Sequence, residues 1–137
     1  MMSMLKNLRL KAILCGIVVE ITANFILISA FIGLLASYLQ AHGDWMPPHA
    51  PSSSNVALQA GGTALASVVY LLAGYVVGRI AKQSEILNAS AVGGMFLAYG
   101  VTGFGHDALW VETLNTIAIL LFHPLGGWLA KRRRLRP

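Results

Sequence analysis

The ten basic residues of this chain fall in three clusters, and long apolar runs separate them. Lys6, Arg9 and Lys11 come first, Arg79 and Lys82 lie mid-chain, and Lys131, Arg132, Arg133, Arg134 and Arg136 come last. Two hydrophobic segments lie between each pair of neighbouring clusters. Lys and Arg mark the cytoplasmic ends of membrane helices, so this spacing predicts four spans with the N-terminus and C-terminus both cytoplasmic. Neither predicted outside loop holds a Lys or Arg, whereas Asp44, Asp107 and Glu112 fall at or near those loops. The formal charge of +5 is therefore a topology signal and gives no argument for a nucleic-acid partner.

Composition agrees with that reading. The 137 residues are 56% hydrophobic and 11% charged, with a mean hydropathy of +0.67. A soluble domain of this size needs much more polar surface, and about 25% charged residues is usual. A disordered chain, a disulfide scaffold and nearly any soluble enzyme are excluded. The single cysteine, Cys15, permits no intrachain disulfide. The expected fold class is all-α: a polytopic four-helix transmembrane bundle, one domain over 1–137, in a bacterial cytoplasmic membrane.

The first span is expected over about 12–39, too long for a signal-peptide core of about 7–15 residues and without a cleavage site after it. An outside loop over 40–55 contains Pro47, Pro48, Pro51 and the run Ser52, Ser53, Ser54, with Trp45 as an interfacial anchor. The second span covers about 56–78 and the third, rich in glycine, about 89–104. The fourth covers about 109–130 and ends in a basic cytoplasmic tail over 131–137. A faint echo relates Leu72–Arg79 to Leu125–Arg132, since both helices end in Gly, an aromatic and a basic residue. A two-hairpin duplication and a shared need for interfacial anchors both account for it.

Helices in lipid pack through small residues at four-residue spacing. The second span supplies Gly62, Ala66, Tyr70, Gly74 and Gly78, the first Ala12, Gly16, Glu20 and Asn24, and the fourth Asn115, Ile119, His123 and Gly127. These stripes are expected to face protein, with Gly16, Gly62, Ala66, Gly74, Gly78 and Gly127 as packing residues. Glu20 is the informative member, because an ionisable group inside a span is costly and marks a functional site by default. Counted from the nearest basic marker, Glu20, Tyr70 and His123 fall at similar depth. They form a candidate polar or ion site with Asn24, and Ser67 lies level with Asn24. Burial disfavours the charged forms of carboxyl and imidazole, so such a layer can share protons. The alternative is a polar buttress that locks the helices or pairs with another subunit. Pro124 removes an N–H donor after His123 and frees the Leu120 carbonyl, which predicts a kink.

Outside the membrane, His42, Asp44, His49, His106 and Asp107 are weak candidates for a nitrogen–oxygen metal site, and their spacing matches no defined motif. The run Lys131, Arg132, Arg133, Arg134 and Arg136 suits anionic lipid headgroups, although fixing the terminus inside is a sufficient role. Asn88-Ala89-Ser90 fits the glycosylation pattern but faces the cytoplasm, where it has no expected use. The chain lacks a Gly-rich phosphate loop, a nucleophile elbow, a zinc motif and a cysteine pair, so neither enzymatic activity nor a cofactor is expected. At Glu20 alone the chain resembles the small multidrug exporters. The longer first outside loop and the basic tail depart from that family. The expected function is that of a non-enzymatic membrane subunit, assembly factor or homo-oligomer, partnered by the bilayer and by itself or another membrane protein. The alternative is a small proton-linked transporter or channel using Glu20.

Overall fold

A computed structural model describes residues 8–41, 52–100 and 109–135. Among these residues the chain forms four helices and no strand: α1 Leu10–Ala41, α2 Ser52–Ala81, α3 Glu85–Gly100 and α4 Leu109–Arg134. Three stretches, Leu10–Leu34, Gln59–Ala81 and Leu109–Arg134, are long and apolar enough to cross a membrane. Helix is the economical state for such runs, because lipid leaves every backbone N–H and C=O to be satisfied within the segment. At 1.5 Å per residue α1 extends about 48 Å, beyond a hydrocarbon core of about 30 Å, whereas α3 extends only about 24 Å.

The element ends differ from the sequence expectation in ways that have physical causes. The inside loop shrinks from 79–88 to residues 82–84, with Arg79 in the last turn of α2. Two non-glycine residues, Lys82 (φ 56°) and Ser84 (φ 50°), take the left-handed conformation that makes so short a turn. Asn88 holds it, donating from Nδ2 to the carbonyls of Gln83 (3.3 Å) and Ser84 (3.0 Å). The run Ser52–Ser54 begins α2 instead of lying in a loop. The basic residues 131–134 continue α4 instead of forming a tail, since Lys and Arg favour helix and offset the dipole at its C-terminus. Pro124 lies inside α4, and the helix persists on both sides of it.

The glycine contacts give the helix directions. Gly74 and Gly78 of α2 meet His123 and Gly127 of α4 in the same order along both helices, so these helices run parallel. Gly93 of α3 meets His123, and Gly127 meets Glu85 and Ala89, so α3 opposes α4. Gly16 of α1 meets Val77, and Gly61 of α2 meets Phe31, so α1 opposes α2. The start of α1, the α2–α3 turn and the end of α4 consequently share one end of the bundle. Three contacts close that end. The Arg9 backbone N–H donates to Asn88 Oδ1 (2.6 Å), the Arg9 guanidinium donates to Gln83 Oε1 (3.1 Å), and Arg134 pairs with Glu85 (2.6 Å). All the described basic residues lie at this end, called here the basic end.

The core divides into two clusters. Ala12, Ile13, Val77, Ala81, Ala89 and Val92 fill the basic end, while Tyr70, Ala118 and Ile119 fill the middle. The α2–α4 seam is the closest approach in the bundle. A Cβ added to Gly74 would collide with the backbone of His123, and one added to Gly126 with the backbone of Leu71, Gly74 and Tyr75. One on Gly78 would lie 2.7 Å from the Ala130 side chain and 3.1 Å from Gly127 Cα. Only glycine allows these backbones to touch, which is how helices gain dispersion energy where water cannot drive them together.

Candidate functional site

Glu20 and His123 lie 103 residues apart in sequence and meet in the middle of the bundle. Gly16, one turn before Glu20, brings α1 against Val77 and Val92, and the Gly74 contact brings the α4 backbone at His123 against α2. His123 Nε2 then lies 2.8 Å from Glu20 Oε2, with both residues 0% exposed. The second ring nitrogen, Nδ1, lies 3.1 Å from the Ile119 carbonyl oxygen. A carbonyl only accepts, so this partner assigns a proton to Nδ1. Nε2 must therefore accept from a protonated Glu20 or donate, as imidazolium, to a carboxylate. Both forms are neutral overall, and both hold one proton between the two side chains. Loss of that proton would leave an unpaired carboxylate sealed from solvent, the costly state. The other carboxyl oxygen, Oε1, is buried without a hydrogen-bond partner among the described residues.

Aromatic rings enclose the imidazole. Tyr70 stacks on it with centroids 5.2 Å apart and planes at 24°, and Phe96 lies at 6.5 Å and 21°. Gly93 lets α3 reach the same ring, since an added Cβ would lie 3.2 Å from the imidazole. The Tyr70 hydroxyl turns away from the pair and donates to Asn115 Oδ1 (2.8 Å). Glu20, Tyr70 and His123 are thus neighbours, but the phenol meets the imidazole by its ring face and not by its proton. Ser67, level with Asn24 in the sequence reading, donates to the Thr63 carbonyl of its own helix (2.8 Å).

Beyond Tyr70, away from the basic end, the three helices α1, α2 and α4 leave space between them, with Phe31 of α1 still reaching Gly61 of α2. A cleft of about 400 Å³ opens there, with Asn24, Gln59, Thr63, Tyr70 and Asn115 among its lining residues. Asn24 contributes to this wall and not to the Glu20–His123 contact. Gly62 also lines the cleft, and among the described residues nothing lies within 4 Å of a Cβ added there. Ala66 borders both the cleft and the Tyr70 cluster. Gly16, Gly74, Gly78 and Gly127 lie at tight helix contacts.

At the basic end, Arg134 pairs with Glu85, the Arg132 guanidinium lies 5.2 Å from the Trp128 ring centroid, and that of Arg133 lies 6.0 Å from the Tyr75 ring. Three arginines expected to face lipid headgroups thus have partners within the chain. Several residues that matter here escaped the sequence reading. Gly93 and Gly126 were legible only as glycines, and what they approach depends on the helix pairing. Asn88 is fully buried, and its glycosylation-like context concealed a turn clamp. Glu85 had a usable signal as an acid in the first turn of a helix.

His42, Asp44, His49, His106, Asp107 and Arg136 lie outside the described residues, as does Trp45. Among the described residues no group of three or more His, Cys, Asp and Glu side chains is placed to hold a metal ion. Comparison with known protein families, curated proteins and solved structures finds no match to this chain.

Proposed function

We propose that the protein is a four-span component of a bacterial cytoplasmic membrane, with both termini cytoplasmic, that works without enzymatic chemistry by assembling with a second copy or another membrane protein. The open cleft carries this reading. The Thr63 hydroxyl donates to the Gln59 carbonyl and Asn115 Oδ1 accepts from Tyr70, but the side-chain amides of Asn24 and Gln59 and the amide nitrogen of Asn115 line a space that acyl chains would fill without offering a hydrogen bond. Polar groups left against hydrocarbon are costly, and a partner helix with small or polar residues relieves that cost. Gly62, open on the cleft wall, is the natural probe. With Cys15 replaced by Ser, Gly62→Cys is expected to cross-link in membranes, and Gly62→Leu to shift the native mass toward monomer with unchanged helicity. A monomer in the mildest detergent, together with no cross-link from Gly62→Cys, overturns the proposal.

A second reading, proton-linked transport or conduction, is favoured by a different observation. The Glu20–His123 pair holds one transferable proton, and Tyr70 touches both its imidazole and the cleft wall. Reconstituted vesicles test it. The reading expects a pH-driven flux in the natural protein that Glu20→Gln abolishes while helicity and native mass stay the same. Absence of any flux from the natural protein sinks it.

A further inference from the structure

The basic end holds a second cleft, separate from the Glu20–His123 site and from the arginines of α4. It lies between the start of α1 and the end of α2, has a volume of about 460 Å³, and is lined by Arg9, Lys11, Lys82 and Gln83 against an apolar wall that includes Ile80 and Ala81. Three cations from two segments distant in sequence converge there. None of them forms an ion pair with a carboxylate among the described residues: Glu85 pairs with Arg134, Glu20 with His123, and Glu112 lies in the first turn of α4, at the opposite end of the bundle.

The groove is held in place by its own contacts. The Arg9 guanidinium bonds to Gln83 Oε1 at 3.1 Å, and its backbone N–H to the buried Asn88 at 2.6 Å. Lys82 takes a left-handed backbone (φ 56°) in the three-residue turn. Backbone strain of this kind persists only where the surroundings fix it. The groove therefore offers an anchored guanidinium fork, two ammonium groups and an apolar flank. It lies where the apolar stretches Leu10–Leu34 and Gln59–Ala81 end.

We propose that this groove binds the phosphate of an anionic phospholipid, with Arg9, Lys11 and Lys82 on the phosphate oxygens and Ile80 beside the first acyl methylenes. Guanidinium and ammonium groups suit phosphate oxygens by charge and hydrogen bonding. Ile80 is 41% exposed, which gives an acyl chain a surface that free phosphate would not use. The proposal needs the membrane placement but neither assembly nor transport. Extraction of the chain only by detergent checks that placement separately.

Native mass measurement of the full chain, after exchange with phosphatidylglycerol or phosphatidylcholine, tests the site. The expected result is retention of phosphatidylglycerol in preference to phosphatidylcholine. Each removed cation should weaken retention on the order of fivefold, so Arg9→Gln with Lys82→Gln should cost about 25-fold. Lys11→Gln with Lys82→Gln leaves the Arg9 contacts in place and should act similarly, which guards against misfolding of the first variant. Arg132→Gln with Arg133→Gln should change retention little. Equal retention of both lipids overturns the proposal. So does retention that survives the groove variants but is lost with Arg132→Gln and Arg133→Gln. A second arm titrates inorganic phosphate in lipid-free detergent. Binding of phosphate with no retained lipid assigns the groove to the free ion and overturns the lipid assignment.

Discussion

Gly74 and Gly62 belong to the same four-residue stripe of α2, yet a Cβ added to the first would strike the backbone of α4, and one added to the second would meet no described atom within 4 Å. The two halves of the bundle differ in the same way. Toward the basic end, Gly16, Gly78, Gly126 and Gly127 let the helices meet closely, and Asn88, Arg9, Gln83, Glu85 and Arg134 tie the ends together. In the other half a cleft opens between α1, α2 and α4, and α1 reaches α2 there through the Phe31 side chain against Gly61. Small residues at helical spacing permit close approach but do not compel it. Closure also needs fixed ends and a facing helix, and the 16-residue α3 supports the basic half more than the far half.

The largest test of this contrast is the pair at the boundary between the halves. Glu20→Ala or His123→Ala leaves one buried partner unpaired and should cost about 3–5 kcal/mol, read from unfolding in graded anionic detergent. Glu20→Gln should cost about 1 kcal/mol, because its amide can donate to Nε2 as a protonated carboxyl does. Equal losses for Ala and Gln would instead identify the pair as carboxylate and imidazolium.

Gly74→Val inserts side-chain atoms against the His123 backbone, which cannot yield as a flexible side chain would. A loss of about 3 kcal/mol is expected in the same assay, at the upper end of ordinary overpacking. Asn88→Ala removes the acceptor of the Arg9 N–H and two bonds to the turn, and about 2 kcal/mol should be lost on thermal unfolding followed by helicity. Tyr70→Phe keeps the ring stack and deletes only the bond to Asn115, so a loss of about 0.6 kcal/mol is expected. Gly62→Ala should stay within about 0.5 kcal/mol of the parent protein. A cost at Gly62 matching that at Gly74 would remove the distinction between the two halves.

Part of the site was legible before folding. Glu20 stood out because charge inside a span is expensive, and equal depth from the basic markers linked it to Tyr70 and His123. Depth gives the level of a residue but not which way its polar atom points. The phenol therefore turns to Asn115, Ser67 bonds within its own helix, and Asn24 lines the cleft. The neighbours of Asn88 match a modification pattern, whereas its work depends on where residue 9 arrives. Gly126 and Gly93 were equally silent, since a glycine has no chemistry of its own and matters only through what approaches it.

The sequence by itself determined the helical class and its apolar stretches, because hydropathy and the absence of water in a bilayer leave a chain of this composition few alternatives. It also named one buried acid. Only the tertiary structure decided that this acid meets His123, and that Gly74 closes while Gly62 stays open. Those outcomes depend on rotation and separation of helices that are distant in sequence, and local patterns within one helix carry no record of either.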